Sequence, residues 1–344
     1  MGKYRFAIIG CGKVSRRHAQ AIKELGDVAE LVAVSDIDEN KAKTLAQEYN
    51  VKYYVDYREM LKDPTIDIIS ICTPNVTHPK IGIEAANAGK HVLTEKPISI
   101  NLKDADELIK TCKEKNRKLV VVKQVRLNPT IQKLKELIDK GRIGDILSAN
   151  VTLRWNRDED YYRKYPWHGK KDIDGGTLIT VASHYIDILQ WLLGPVNLVY
   201  GKIKPHKIPG VEVEGLGAAV IEFKSGALAT IEYTTRVYRQ NLECSMIIIG
   251  EKGTVKLGGN AFDKIEYWDV ENEPNPKIKG NDIDSNHKTR TGGVNPNHTL
   301  FYKYFIDALE HKLNLTDGED ARKSIEIIQA IYRSAETGRP IEFL

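Results

Sequence analysis

Short apolar runs alternate with amphipathic stretches along the first third of the chain. The apolar runs have the length of buried strands and cover residues 6–9, 30–36, 66–72, 91–94 and 118–123. The amphipathic stretches have a helical period and cover residues 39–49, 57–62, 79–88 and 103–115. This alternation is typical of a doubly wound parallel sheet with right-handed crossovers. We therefore predict an α/β Rossmann domain over residues 1–124.

The pattern changes to consecutive strands from about Gly144. Period-two runs cover residues 145–155, 198–204, 211–223, 227–237, 243–249, 253–257 and 264–268, with helical patterns at 183–193, 297–311 and 318–337. They predict a second, α+β domain over residues 125–344 with a large, mostly antiparallel open sheet, and the C-terminal helices could pack back on the first domain. One sheet face needs cover from helices or from another subunit. The polar residues 271–296 are predicted to form a long mobile loop or lid.

Composition narrows the class of protein. With 41% hydrophobic and 28% charged residues, the chain has the make-up of a globular protein with a sizeable core, and its net charge of +4 does not favour nucleic acid as a partner. The four cysteines lack the spacing of a zinc site or a disulfide framework, so we expect no metal and a reducing, cytoplasmic location. No apolar run has membrane-spanning length and no signal peptide opens the chain, so we expect no membrane association.

A glycine turn follows the first apolar run. Gly10 permits the tight turn, and Gly12 lets phosphate oxygens approach the backbone. A strand that leads through such a turn into a helix makes an anion site, because free N–H groups and the helix dipole point at one place. The third position of the fingerprint is Ser15 instead of glycine. We predict that the pyrophosphate of a dinucleotide lies on Gly10, Cys11, Gly12, Lys13 and Val14.

Asp36 ends the second apolar run, where a Rossmann unit places its ribose-binding acid. Its carboxylate would accept hydrogen bonds from the adenosine ribose hydroxyls and would repel a 2′-phosphate. Because no arginine follows it immediately, the sequence favours NAD over NADP. The alternative is a strand-end aspartate that caps the helix beginning near Glu39.

Other polar residues also lie at predicted strand ends, which meet at one edge of a parallel sheet. We predict that this edge completes the cofactor site through Thr73, Pro74, Asn75, His78, Glu95, Lys96 and Gln124. A lysine at the mouth of a nicotinamide pocket can donate to the substrate hydroxyl and stabilise the alkoxide that develops as hydride leaves. Lys96 is the candidate for that role, and a solvated surface charge is the alternative.

His184 and Asp187 are three residues apart in the predicted helix 183–193. Positions i and i+3 share a helix face, so the carboxylate could orient the imidazole as a base. A histidine on a helix is also frequently structural, and the residues alone leave that alternative open.

Taken together, these motifs resemble the glucose-fructose oxidoreductase and inositol dehydrogenase family over essentially the whole chain. The resemblance rests on Gly10-x-Gly12, Cys72-Thr-Pro-Asn-x-x-His78, Glu95-Lys-Pro97 and Gly175-Gly with Ser183-His-x-x-Asp187. It implies NAD(P)-dependent oxidation of a sugar or cyclitol hydroxyl, with Lys96 and His184 as the catalytic pair. It also implies that the open sheet forms the subunit interface of a homodimer or homotetramer. Thr180 departs from the family, because many members carry aspartate four residues before the histidine.

Residues 154–169 interleave aromatic and basic side chains. Aromatic faces stack on bases and sugars, while guanidinium groups bind diphosphate or carboxylate. Beside the dehydrogenase motifs we predict a substrate site here, and the alternatives are a site for single-stranded nucleic acid or a solvated surface loop. The predicted substrate-binding residues are Lys96, Arg157, Tyr161, Tyr162, Arg163, Trp167, Thr180, His184 and Asp187.

This segment looks like the nucleotide-sugar branch of the family, together with Leu189-Gln-Trp-Leu-Leu-Gly194, Ile249-Gly-Glu-Lys-Gly-Thr-Val255, Asp317-Gly-x-x-Ala321 and Tyr332-Arg-Ser-Ala335. That resemblance implies oxidation of the 3-hydroxyl of UDP-N-acetylglucosamine, or of its uronate, to a ketone that an aminotransferase converts to a 3-amino sugar for surface glycans. It leaves open whether C6 carries a hydroxyl or a carboxylate, and whether NADH is exchanged or is reoxidised in place by 2-oxoglutarate. The alternatives are a dehydrogenase of a free sugar or inositol and a non-catalytic NAD-binding sensor.

Overall fold

The computed structural model describes residues 2–259, 261–278, 297–311 and 317–343, which divide into two compact units. The first unit holds the described residues up to Lys123 together with those from 297 to Ile325. The second holds the described residues from Gln124 to 278 and from Glu326 onward. Of the loop predicted over 271–296, residues 271–278 are described and the remainder lies outside the described residues.

The described strands of the first unit form one parallel sheet. They are β1 (Tyr4–Ile9), β2 (Ala29–Ser35), β3 (Lys52–Tyr54), β4 (Ile68–Ile71), β5 (His91–Thr94) and β6 (Leu119–Val121). The strand order is β3-β2-β1-β4-β5-β6, so the order reverses between β1 and β4. Side chains of β1 and β4 such as Phe6, Ile8 and Ile69 are fully buried, as expected for a sheet covered on both faces. The predicted Rossmann topology is confirmed, although β3 was not expected.

Helices connect these strands. They are α1 (Ser15–Glu24), α2 (Glu39–Tyr49), α3 (Tyr57–Leu61), α4 (His78–Asn87) and α5 (Leu102–Glu114). Side chains just before three of them cap the helix, because Asp38, Asp56 and Asn101 accept hydrogen bonds from backbone N–H groups of the first turn. The capping residue of α2 is therefore Asp38, and not Asp36, for which the sequence had left this role open.

The second unit is built on an open sheet. Its described strands are β7 (Ile146–Arg154), β8 (Val196–Pro205), β9 (Glu214–Phe223), β10 (Leu228–Thr234), β11 (Glu243–Gly250), β12 (Gly253–Gly258), β13 (Lys264–Val270) and β14 (Ile341–Glu342). The order is β13-β12-β11-β7-β10-β9-β8-β14. The predicted mostly antiparallel sheet is confirmed, and β7 and β10 are parallel neighbours. On the less buried face, Tyr200, Val220 and Leu228 are partly exposed apolar residues.

The remaining helices are α6 (Pro129–Asp139), α7 (Glu159–Lys164), α8 (Lys171–Asp174), α9 (Ser183–Leu193), α10 (His298–His311) and α11 (Gly318–Thr337). α9 is buried along almost its whole length. In the first unit α10 packs against α1, and the Phe6 and Tyr302 rings lie 5.3 Å apart. Among the described residues, no helix combines the length and the apolar character needed to cross a bilayer.

A buried ion pair joins α9 to the 3₁₀ turn Gln124–Leu127 of the second unit. The Nε and Nη2 atoms of Arg126 each donate to a different carboxylate oxygen of Asp187, both at 2.7 Å. The guanidinium also lies over the Trp191 ring, 4.9 Å from its centroid. Both charges are almost completely removed from water, so each depends on the other.

We expect Arg126→Ala to lower the free energy of unfolding by roughly 3–5 kcal/mol, because it leaves the Asp187 charge buried without its partner. Lys256→Ala is the matched control in the same unit, since its pair with Glu266 is exposed and should be worth roughly 0–1 kcal/mol. Urea unfolding followed by tryptophan fluorescence measures both. Equal midpoints for the two variants would contradict the prediction.

Glu214 is a second buried carboxyl group of this unit. Its Oε1 atom accepts from Tyr332 Oη at 2.7 Å, Leu178 N at 2.9 Å and Tyr233 Oη at 3.2 Å. Burial raises the pKa of Glu214, although the hydrogen bonds from Tyr332 and the backbone act in the opposite direction. Because the pKa in the folded protein exceeds that of the unfolded chain, the stabilisation is complete below the unfolded pKa and is lost as pH rises through the folded pKa.

Glu214→Gln should therefore stabilise the protein more at pH 8 than at pH 5, because the amide keeps one acceptor oxygen but cannot ionise. The melting temperature as a function of pH measures this difference, with the exposed Glu271→Gln as the control. Parallel curves for Glu214→Gln and the wild type would show that the carboxyl group does not titrate as inferred.

Candidate active site

Two glycines lie in the turn after β1, and the fold requires only one of them to be glycine. Gly10 has φ +94°, and a Cβ atom there would lie 2.6 Å from the carbonyl oxygen of Cys72, so the fold itself requires glycine. At Gly12 no described atom would lie within 4 Å of a Cβ atom, so the described fold does not require glycine at that position. Ser15 is fully buried, and its hydroxyl donates to the Gly12 carbonyl at 2.6 Å. The departure at the third glycine position thus adds a hydrogen bond that closes the turn.

The first turn of α1 suits an anion. Val14 occupies the N-cap position, and among the described residues no side chain caps this helix end. The backbone N–H groups there therefore lack the side-chain acceptor that Asp38 gives to α2. Gly12 and Lys13 are exposed beside them. Cys11 is buried, and burial, followed by the Asp36 charge, raises the pKa of its thiol to about 12, so the thiol stays neutral.

Asp36 is fixed at the end of β2. Its Oδ2 atom accepts from Cys11 N at 2.7 Å, and its Oδ1 atom accepts from Asp38 N at 2.8 Å. Each carboxylate oxygen can accept more than one hydrogen bond, so these contacts orient the group without exhausting it. The next side chain, Ile37, is 91% exposed. A half-buried carboxylate followed by an exposed apolar residue suits an adenosine ribose with no 2′-phosphate.

The loops after β4 and β5 are tied together by His78. Its Nδ1 atom faces the Pro97 carbonyl oxygen at 2.7 Å, and its Nε2 atom faces the Thr73 carbonyl oxygen at 2.8 Å. The ring is buried, and burial lowers its pKa. His78 thus holds the two loops in register, and the hydroxyl of Thr77 adds bonds to Thr73 and to the Pro74 carbonyl oxygen, both at 2.6 Å.

Lys96 lies at the end of β5 and is half-buried. Its backbone N–H donates to Oε2 of Glu95 at 3.1 Å, and the peptide bond to Pro97 is cis. Glu95 is buried, so the structure places its carboxylate beneath the loop. Of the other predicted cofactor residues, Asn75 is buried in the loop after β4, and Gln124 is buried at the first residue of the second unit.

In the second unit, His184 is buried near the start of α9, directly after a π-helical turn, Leu178–Ala182. Such turns are rare and are frequently found at functional sites. Asp187 lies one turn further along the helix, where its two oxygens accept from Arg126. The structure therefore gives Asp187 a cationic partner that the sequence did not indicate, and its predicted action on His184 stays a prediction.

Thr180 is bonded to a carboxylate from another element. Its hydroxyl donates to Oδ1 of Asp174, the last residue of α8, and Asp174 Oδ2 accepts from Gly169 N at 2.6 Å. Asp174 is buried. The family resemblance led us to expect the loss of an acid at position 180, but a carboxylate is present one hydrogen bond away. Sequence reasoning missed Asp174, whose signal was its place directly before the Gly175-Gly176 pair.

Part of the aromatic segment is packed, although α7 within it has no fully buried residue. The Arg157 guanidinium lies 4.8 Å from the Trp155 ring centroid and 5.0 Å from that of Tyr161, and its Nη1 atom donates to the Asn156 carbonyl oxygen at 2.6 Å. Tyr161 stacks on His168, with centroids 5.0 Å apart. Burial raises the pKa of Tyr161 to about 12 against the opposing effect of Arg157.

The other predicted substrate residues of this segment differ in exposure. Tyr162 and Trp167 are half-buried, and each packs against a histidine ring. Arg163, in contrast, has a side chain that is 77% exposed and is paired with Asp160 one turn away. The structure therefore separates two arginines that the sequence could not rank, because one is fixed between aromatic rings and the other extends into solvent.

Comparison with known proteins identifies the family of this chain. The model of an oxidoreductase family with an NAD-binding Rossmann fold matches residues 4–123, and the model of its C-terminal alpha/beta domain matches residues 135–343. The chain is 30% identical over 261 residues to a myo-inositol 2-dehydrogenase from Thermotoga maritima, which covers 73% of this chain and 74% of that protein.

Two further relatives extend over nearly the whole chain. A scyllo-inositol 2-dehydrogenase (NAD(+)) from Bacillus subtilis is 27% identical and covers 98% of this chain and 96% of its own length. The crystal structure of the WlbA dehydrogenase from Bordetella pertussis in complex with NADH and UDP-GlcNAcA is 36% identical, covers 100% of this chain and 98% of that one, and superposes with a TM-score of 0.90. The protein therefore belongs to the Gfo/Idh/MocA family of oxidoreductases, and its first unit is an NAD-binding Rossmann domain.

Proposed function

We propose that this protein oxidises the 3-hydroxyl of a UDP-N-acetylated hexose, UDP-N-acetylglucosamine or its uronate, to the 3-keto sugar with NAD. The observation that carries the proposal is the likeness, over both chains, to a dehydrogenase crystallised with NADH and UDP-GlcNAcA. It goes beyond a shared fold, because 36% identity is well above the 22% of the levoglucosan dehydrogenase structures. The buried arginine of the aromatic segment is an independent support.

The first unit has the features that NAD needs. Gly12 leaves space at its Cβ position, the first turn of α1 offers N–H groups for the pyrophosphate, and Asp36 is oriented at the end of β2. Bound there, NAD would supply the acceptor for the hydride that leaves the sugar carbon. The protein supplies binding, orientation and control of the proton.

We assign the proton chemistry to Lys96 and His184. The Lys96 ammonium would donate to the sugar O3 and stabilise the negative charge that develops on it. His184 would accept the O3 proton as general base. Lys96 suits its role because the backbone around it is held by Glu95 and His78, so the side chain starts from a fixed point.

Arg157 is proposed to bind the anionic part of the substrate. Its guanidinium is held between two aromatic rings, and among the described residues its buried Nε atom has no hydrogen-bond acceptor. A buried donor without an acceptor is costly, and a carboxylate or phosphate oxygen would satisfy it. A uronate at C6 and the diphosphate are the two chemical sources of that oxygen.

A second candidate function is the oxidation of a free sugar or inositol, which the inositol dehydrogenases among the relatives favour. It would use the same cofactor residues, Lys96 and His184, and would differ at residues 154–169.

The proposal for the UDP-sugar has three further parts. NADH is reoxidised by 2-oxoglutarate, an aminotransferase uses the product, and the protein assembles into a homodimer or homotetramer through the open sheet.

The function is tested by mixing the protein and NAD with each UDP-sugar and following the absorbance of NADH. Each mixture is measured with and without 2-oxoglutarate and a coupled aminotransferase. We expect reduction with one UDP-sugar, which also identifies the C6 group. Lys96→Met is the control, which should bind NAD but not turn over. Reduction by myo-inositol or a free hexose with silence from both UDP-sugars would favour the second candidate.

Arg157→Ala should raise KM for the UDP-sugar by about 10- to 100-fold, the loss expected for one charge-assisted hydrogen-bonding partner. Arg163→Ala, near the end of α7 and exposed, should leave KM within about threefold, because exposed charges contribute little. Arg157→Lys keeps the charge and tests whether the planar group matters. A larger effect at Arg163 than at Arg157 would reverse the assignment.

A further inference from the structure

The first unit contains a buried polar cluster, of which the proposed chemistry uses only the contact from Glu95 to the Lys96 backbone. It consists of Ser70 of β4, His18 of α1, Glu95 after β5, and His298 and Tyr302 of α10. His18 and Tyr302 are fully buried, His298 is 2% exposed and Glu95 is 8% exposed. Side chains from β4, α1, α10 and the loop after β5 therefore form one buried hydrogen-bond network.

We propose that Glu95, held by His18 and His298, is a positioning residue that fixes the backbone of Lys96, and that α10 thereby forms part of the dehydrogenase machinery. The proposal rests on the function proposed above for Lys96. It concerns residues on α10 that the sequence motifs do not include.

The hydrogen bonds have a single consistent direction. Glu95 Oε1 lies 2.9 Å from His18 Nε2 and 3.4 Å from His298 Nε2, while Oε2 accepts from Lys96 N at 3.1 Å. An ionised carboxylate only accepts, so both Nε2 atoms carry hydrogen. Neutral His18 then accepts at Nδ1 from the Tyr302 hydroxyl, 2.8 Å away, which is itself bonded to Ser70 Oγ.

The charges agree with this arrangement. Burial lowers the pKa of His18 against the opposing effect of Glu95, so the imidazole is neutral. Burial by itself would raise the pKa of Glu95, but the hydrogen bonds from the two histidines outweigh it and hold that pKa well below its usual range. The cluster therefore keeps the Glu95 carboxylate ionised in the interior, next to the peptide that carries Lys96.

A buried carboxylate held by two imidazoles does not by itself favour stability, since an apolar cluster of the same volume would be at least as stable. The carboxylate provides an acceptor for the Lys96 N–H, which a leucine would not provide. The position of the Lys96 backbone is thereby set by α1 and α10 together, and small displacements of a catalytic group have large effects on rate.

His18, Glu95 and His298 also carry the kinds of atom that bind a divalent cation, and these atoms lie within 4.8 Å of one another. The hydrogen-bond reading is favoured because the 2.9 and 3.4 Å separations already pair donors with an acceptor. The cation is kept as an outcome of the experiment.

The experiment compares Glu95→Gln, His298→Ala, His298→Gln and Tyr302→Phe with the wild type. Glutamine at position 95 has one acceptor oxygen for donors that now approach two oxygens, so at least one contact is lost without a change of volume. Tyr302→Phe keeps the ring against Phe6 and removes only the hydroxyl. Thr299→Ala is the control, because it is the neighbour of His298 on α10 but its hydroxyl bonds to Glu24 outside the cluster.

The first readout is steady-state kinetics with the best substrate found, together with NADH binding by fluorescence. We expect Glu95→Gln and His298→Ala to lower kcat by about 10- to 100-fold with little change in KM or NADH affinity. His298→Gln, whose amide can donate to Glu95, should recover part of the loss, and Thr299→Ala should match the wild type. A purely structural role would lower the melting temperature but leave kcat unchanged.

The second readout does not need a substrate, so it separates failure of this proposal from failure of the proposed function. Hydrogen exchange of the peptide containing the Lys96 amide should become faster in Glu95→Gln and His298→Ala, while exchange in β2 stays unchanged. Unchanged kcat and unchanged exchange at Lys96 would overturn the proposal. Activity that required added Zn²⁺ and fell with a chelator would overturn it too, and would assign the cluster to a metal.

Discussion

The close approach of the ends of β1 and β4 is the constraint on which the first unit depends. The chain can leave β1 only where a residue with positive φ and no side chain fits against the Cys72 carbonyl, and Gly10 is that residue. Once the two strands are parallel neighbours, the turn into α1, the loop after β4 and the loop after β5 must all come out on one edge of the sheet. The location of the candidate site thus follows from the strand order as much as from the residues that line it.

Three buried carboxylates show three ways of keeping a polar group in an interior. Asp187 is matched by a full positive charge on Arg126. Glu214 accepts hydrogen bonds from neutral hydroxyl and amide donors, and burial favours its protonated form. Glu95 stays ionised with the N–H groups of two imidazoles as its donors. The choice among them follows from the donors at hand, because only directed N–H groups in sufficient number keep a buried carboxylate charged without a cation.

Much of the fold was predictable from local pattern. The glycine turn, Asp36, Lys96 and His184 were placed on their elements because strand ends and helix faces can be counted along the chain. The edge strand β3 was missed because its residues are mostly exposed and carry little apolar signal. Helix α6 was missed although its buried positions 131, 134 and 137 have helical spacing. The pairing of α10 with α1 and the partner of Asp187 arise from contacts far apart in sequence, which no local pattern contains.

The hydrogen bond from Thr180 to Asp174 has a consequence for how relatives of this protein are recognised. The acidic group and the histidine are usually sought at a fixed spacing along one helix, but here the acid comes from the end of α8 and reaches the helix through a hydroxyl. A search pattern that demands aspartate four residues before the histidine would pass over such a chain, although a buried carboxylate is bonded to that position. The residue type at one motif position therefore does not by itself tell whether a carboxylate lies beside that position.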